Sequence, residues 1–188
     1  MNREQYLTEA TRQLQRLAFE PASLQIPEDV RLTCGWPHKG GTSAKRKTVG
    51  QCWPRELSEE KVNQVFISPV VGDTLEVLGI LAHELVHAID DCQNGHKAPF
   101  RRMALAIGLT GKMTATETGT ELLEKFKTIQ EDLGEYPHEP LQAPLPKQKN
   151  RQLLLLCATC GAKWRMAKSW ISEVTCCPCC QETDIEGV

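Results

Sequence analysis

The feature that most restricts how this chain can fold is the pentapeptide His83-Glu84-Leu85-Val86-His87, which sits inside an otherwise apolar stretch carrying Leu75, Leu78, Ile80, Leu81 and Ala88. Two imidazoles and a carboxylate in an apolar segment are costly unless something pairs them. A helix resolves the conflict. Four residues amount to about 400° of rotation, so His83 and His87 share one face a turn apart and can bind one metal ion. Glu84, displaced by about 100°, flanks the ion without ligating it and is placed to take a proton from a metal-activated water. Pro69 and Gly72 break the chain upstream, Asp73 or Thr74 can cap, and the helix is expected to reach about Asp91.

A catalytic zinc needs a third protein ligand. His96 is the nearest remaining histidine, nine residues beyond His87. On a continued helix it would face away, so the helix must stop first, and Asn94-Gly95 tolerates the positive φ that such a reversal needs. A glutamate on a later helix, Glu117 or Glu121, is the alternative third ligand. The predicted chemistry is peptide-bond hydrolysis, with Glu84 as general base and then general acid. Arg101, Tyr136 and His138 are candidates for stabilising the oxyanion.

Around this helix the pattern is mixed. Residues 3 to 18 space Tyr6, Leu7, Ala10, Leu14, Leu17 and Ala18 for an amphipathic helix. Extended segments are expected at 30–34, 49–53 and 62–68, forming a small antiparallel sheet, and further helices at about 99–107 and 119–133. Residues 108–118, rich in Gly and Thr, read as a separator. Pro137, Pro140, Pro144 and Pro146 mark residues 134–150 as a linker. The predicted organisation is an α+β domain over 1–133, the linker, and a small unit over 151–188. No apolar run approaches the length of a membrane span, so neither export nor insertion is expected.

That last unit is defined by cysteines. Six of the nine crowd into residues 157–180 in Cys-x-x-Cys spacing, which favours metal in a reducing, cytoplasmic compartment over disulfides. Cys157 and Cys160 with a second pair form the four-thiolate pattern of a structural zinc ribbon. Cys176 with Cys179 and Cys177 with Cys180 share the same spacing. In a zinc knuckle, backbone N–H groups two and three residues after the first cysteine bond its sulfur, and Pro178 would remove one if Cys176 led. Cys177 and Cys180 are therefore the predicted ligands, giving two zinc ions per chain, one catalytic and one structural.

The segment His83 to Phe100, HELVHAIDDCQNGHKAPF, resembles the active-site core of the SprT-like (Spartan-related) metalloprotease family, in which HExxH is followed by a Gly-His ahead of a phenylalanine. Here those residues are Gly95, His96 and Phe100. The upstream pieces Cys34-Gly35-Trp36, Gly50-Gln51-Cys52-Trp53 and Phe66-Ile67-Ser68-Pro69 are similar to SprT-like proteins of bacteria and their phages. The resemblance spans about residues 25 to 185. It implies a minimal zincin fold, cleavage of proteins bound or crosslinked to DNA, and a C-terminal zinc ribbon.

Charge segregation points the same way. The net charge is only -2, yet residues 30–55 and 141–172 each hold six Lys or Arg and no acid, while residues 56–96 are acidic. Lys45, Arg46 and Lys47 form one candidate nucleic-acid surface. Lys163, Trp164, Arg165, Lys168 and Trp170 form another, with aromatics able to stack on unpaired bases, so single-stranded DNA is the expected partner, with nucleoid association as a corollary. The rival reading is a non-catalytic, zinc-stabilised nucleic-acid-binding or transcription accessory protein. Glu84 weighs against it, because a purely structural site needs no base beside the metal.

Overall fold

A computed structural model describes residues 1–38, 48–142, 152–167, 169–170 and 176–187. The chain divides into two units, Met1–Leu145 and Pro146–Val188.

The first unit opens with α1 (Arg3–Leu14), started by a reciprocal cap in which Asn2 Oδ1 accepts from Gln5 N–H and Gln5 Oε1 from Asn2 N–H, both at 2.8 Å. Tyr6, Leu7, Ala10 and Leu14 form its buried stripe. The helix continues through a π turn at Gln15–Phe19 and a short 3-10 turn, and Ser23 at φ 57° ends it.

Strands β1 (Arg31–Cys34), β2 (Gly50–Trp53) and β3 (Gln64–Ile67) form a sheet of order β1-β3-β2. It is mixed, with β3 parallel to β1 and antiparallel to β2, where the sequence reading expects antiparallel pairing throughout. The reason is topological. β3 inserts between two strands that run in opposite directions, so it must run parallel to one of them. The connection from Cys34 to Gln64 is long enough for such a crossover. Val65 and Ile67 of β3 alternate into the core.

Helix α2 (Thr74–Ile89) is the centre of the unit, capped by Asp73 Oδ1 on Glu76 N–H at 2.8 Å. Its buried residues Val77, Leu78, Leu81, Ala82, Leu85, Val86 and Ala88 lie on most sides, which is why it reads as almost uniformly apolar. Helices α3 (Ala98–Ile107) and α4 (Thr120–Leu133) follow. Between them residues 109–118, expected as a separator, instead form a hairpin of β4 (Leu109–Lys112) and β5 (Ala115–Thr118).

The first unit also runs past Leu133. Tyr6 Oη donates to the Gly134 carbonyl at 3.1 Å, and the buried Tyr136 ring packs edge-on against Tyr6 with centroids 5.4 Å apart. Tyr136 N–H donates to Thr74 Oγ1 at 2.9 Å, and Leu141 N–H to the Pro69 carbonyl at 2.7 Å. The prolines at 137 and 140 thus belong to a strap bound to the domain. A linker starting at Gly134 begins too early, because proline fixes an extended backbone whether it is free or packed.

The second unit is a sheet of order β7-β6-β8, from β6 (Gln152–Cys157), β7 (Lys163–Ala167) and β8 (Ile185–Gly187), antiparallel throughout. The molecule is thus mixed α+β with small sheets. Among the described residues no helix is long and apolar enough to cross a membrane.

Candidate metal centres

The histidine site grows out of α2. His83 and His87 stand one turn apart on it, as the spacing requires, and the chain then reverses. Asp91 at φ 51° and Cys92 at φ 60° take the left-handed conformation, and Cys92 N–H closes the helix on the His87 carbonyl at 2.8 Å. Gly95 at φ 50° adds a last left-handed step before His96. The stop thus begins three residues before the Asn94-Gly95 expected from sequence. Asp91 is held there from outside the helix: Oδ1 accepts from Arg55 N–H and from Asn63 Nδ2, each at 2.8 Å. Asn63 is fully buried and also donates to the Trp53 carbonyl at 3.2 Å.

The reversal delivers His96 to the other two. Its Nε2 lies 3.1 Å from His83 Nε2 and 3.2 Å from His87 Nε2. A tetrahedral zinc with bonds of about 2.0–2.1 Å sets its nitrogens about 3.3 Å apart, so the three residues fit such an ion. Phe100, fully buried on α3, forms the floor. Its ring stacks on His87 at 4.3 Å and meets His83 and His96 at 4.9 and 5.1 Å. Glu117 and Glu121, the alternative third ligands, are exposed and outside the group.

Burial keeps these imidazoles neutral. It pushes His83 down to about 4 and His87 to about 3, with the neighbouring histidines adding to the effect, and it lowers His96 as well. The lone pairs are then free for a metal at neutral pH. Burial moves Glu84 the other way, up to about 8, against an opposing pull from the Cys52 backbone N–H. Glu84 lies under β2. A Cβ on Gly50 would fall 2.5 Å from Glu84 Oε1 and 2.5 Å from Ile80 Cγ2, so only glycine lets the strand pass over the carboxylate.

A cleft of about 700 Å³ exposes the site, with β2 on one side and the β4–β5 hairpin on the other. His83, Glu84, His87 and His96 line it; Arg101, Tyr136 and His138 do not. Tyr136 is buried against Tyr6, and His138 Nε2 meets the Pro69 carbonyl at 2.8 Å. The hairpin brings a contact that sequence reading misses: Thr116 Oγ1 lies 2.9 Å from His83 Nδ1.

The second centre is the four-cysteine group. The sulfurs of Cys157, Cys160, Cys177 and Cys180 lie within 4.8 Å of one another, with Cys157 to Cys180 and Cys160 to Cys177 at 3.6 Å. The choice of Cys177 and Cys180 agrees with this group, while Cys176 and Cys179 are exposed. Cys179 N–H points at Cys177 Sγ at 3.4 Å, the knuckle contact that Pro178 would deny to Cys176. The Cys160 backbone N–H holds the Cys157 thiol below its ordinary range. Four convergent thiols leave no open position, which suits a structural zinc.

The candidate nucleic-acid residues divide. Lys45, Arg46, Lys47 and Lys168 lie outside the described residues. Lys163 and Arg165 are exposed on one face of β7, and Trp164, opposite the buried Leu155, is on the other. Trp164 is half-buried and faces away from those cations, and Trp170 is 63% exposed.

No family model, curated protein or solved structure matches the chain.

Proposed function

We propose that this protein is a zinc-dependent endopeptidase of the SprT-like kind, built on a minimal zincin fold, and that it acts on DNA-associated or DNA-crosslinked proteins. The observation that carries the reading is the convergence of His83, His87 and His96 Nε2 with Glu84 on the floor of an open cleft. His83, His87 and His96 would hold a zinc ion, which would supply Lewis-acid chemistry for the scissile carbonyl and lower the pKa of a water toward about 7. Glu84 receives the water's proton and returns it to the leaving amine. Its burial supports this work, since a carboxylate already biased toward the proton is a better acceptor near neutral pH. In the second unit Cys157, Cys160, Cys177 and Cys180 hold a structural zinc, and Lys163, Arg165 and Trp170 offer cations and an aromatic to a single strand.

Glu84→Gln tests the reading, because it removes the proton carrier and leaves every ligand in place. The variant is expected to keep two zinc ions per chain and to lose cleavage of a DNA-binding substrate by at least about a hundredfold. Wild-type cleavage should rise with single-stranded DNA and fall back with salt as phosphate contacts are lost. Cleavage by the variant at the wild-type rate would end the protease reading in favour of a zinc-stabilised binding protein. Rates indifferent to DNA and salt would remove nucleic acid alone.

A further inference from the structure

We propose that Thr116 is a positioning residue for the histidine metal centre, with its hydroxyl holding His83 in the tautomer and rotation that aim Nε2 at the ion. The inference rests on the metal-centre part of the reading above and not on the reaction.

The argument starts with how β5 lies on α2. Gly79 and His83 are four residues apart and share a face of the helix. A Cβ on Gly79 would meet Thr118 Oγ1 at 3.2 Å, so the strand lies close against the helix at that turn. Two residues of strand advance about 6.6 Å and four residues of helix about 6 Å, so the two elements stay in step. With Thr118 over Gly79, Thr116 falls over His83, and its Oγ1 is 2.9 Å from Nδ1. The hairpin is itself fixed at its base, where Gly119 N–H donates to the Gly108 carbonyl at 2.9 Å and a Cβ on Gly119 would collide with that oxygen at 2.6 Å.

The direction of the hydrogen bond follows from the site. His83 Nε2 faces His96 Nε2 at 3.1 Å, where the ion would sit, so Nδ1 must carry the ring's proton and Thr116 Oγ1 must accept it. Among the described residues, the imidazole hydrogen bonds of His87 and His96 run only within the histidine group. Thr116 is thus, among the described residues, the side chain outside the group that hydrogen-bonds one of the three imidazoles, beside the ring packing of Phe100.

The test uses the full chain. Zinc per chain is measured against graded chelator for wild type, Thr116→Val and Thr116→Ser, with thiol accessibility reporting the four-cysteine site separately. Thr116→Val is expected to weaken zinc at the histidines by about 10- to 100-fold. Thr116→Ser should restore most of that affinity, and the melting of the zinc-depleted chain should be alike in all three. Unchanged affinity in the valine variant, a serine variant as weak as valine, or a matching loss of zinc-free stability would overturn the proposal. So would a wild type that holds no zinc at the histidines. Tight zinc that responds to Thr116 in a chain that cleaves nothing would sink the protease reading and leave this one standing.

Discussion

At the scale of single residues, the histidine site pulls the stability of the metal-free chain in two directions. His83 and His87 fall from an ordinary 6.5 to about 4 and about 3 in the fold, so the unfolded chain takes up their protons first. Their contribution is complete above pH 6.5 and is lost as pH drops through the window down to about 3. Glu84 rises from 4.5 to about 8, so the folded chain holds its proton longer, and its contribution is lost as pH climbs from 4.5 to 8. Between 4.5 and 6.5 two histidines oppose one glutamate, and above 6.5 Glu84 acts alone. Chelator-treated protein is therefore expected to melt highest near pH 6.5, and Glu84→Gln should flatten the decline on the alkaline side. A melting midpoint that climbs steadily to pH 8 would contradict this account.

Among the elements, the segment leaving α2 does more for the site than the helix itself, because it decides whether His96 arrives. Asn63 sits beneath that segment, fully buried, bonding Asp91 Oδ1 and the Trp53 carbonyl and accepting from Arg55 Nε at 3.1 Å. Asn63→Ala removes one hydrogen bond each from Asp91 Oδ1, the Trp53 carbonyl and Arg55 Nε, and leaves Asp91 Oδ1 held by the Arg55 N–H alone. It should cost about 1–3 kcal/mol of stability and weaken zinc at the histidines, with the four-cysteine site unaffected, as metal analysis and thermal melting would show. Zinc affinity equal to wild type would mean that His96 holds its own position. The helix itself is legible in the sequence, since its apolar residues and His-Glu-x-x-His spacing state both burial and face. The reversal is legible only in outline: Gly95 advertises positive φ, but Asp91 and Cys92 adopt it because of Asn63 and Arg55, and such contacts leave no local signature. The hairpin at 109–118 escapes for a related reason. Its glycines and threonines show no apolar alternation, and what fixes it is packing on α2 and the pinch at Gly108 and Gly119.

On the scale of the whole molecule, the two units rest on different foundations. The first has a broad apolar core, whereas in the second Leu155, Cys157 and Cys177 are the buried apolar residues among those described. A strong chelator should therefore abolish order in the second unit and leave a cooperative melt in the first, which far-UV and near-UV circular dichroism can separate. A fragment of residues 1–142 should melt like the first unit of the full chain. Residues 1–133 lack the Tyr136 ring packed on Tyr6 and the bonds to Thr74 and Pro69, a loss of roughly 3–5 kcal/mol by comparison with buried aromatic deletions. Equal melting of the two fragments would show the strap to be ornamental. The strap has a further consequence if the chain cuts other proteins. Because the first unit is tied off at Leu141, a nick in residues 143–151 would leave the histidine unit whole and, if the four-cysteine unit holds DNA, would sever that hold. One self-inflicted break would then act as a timer, ending the tether irreversibly while the blade survives.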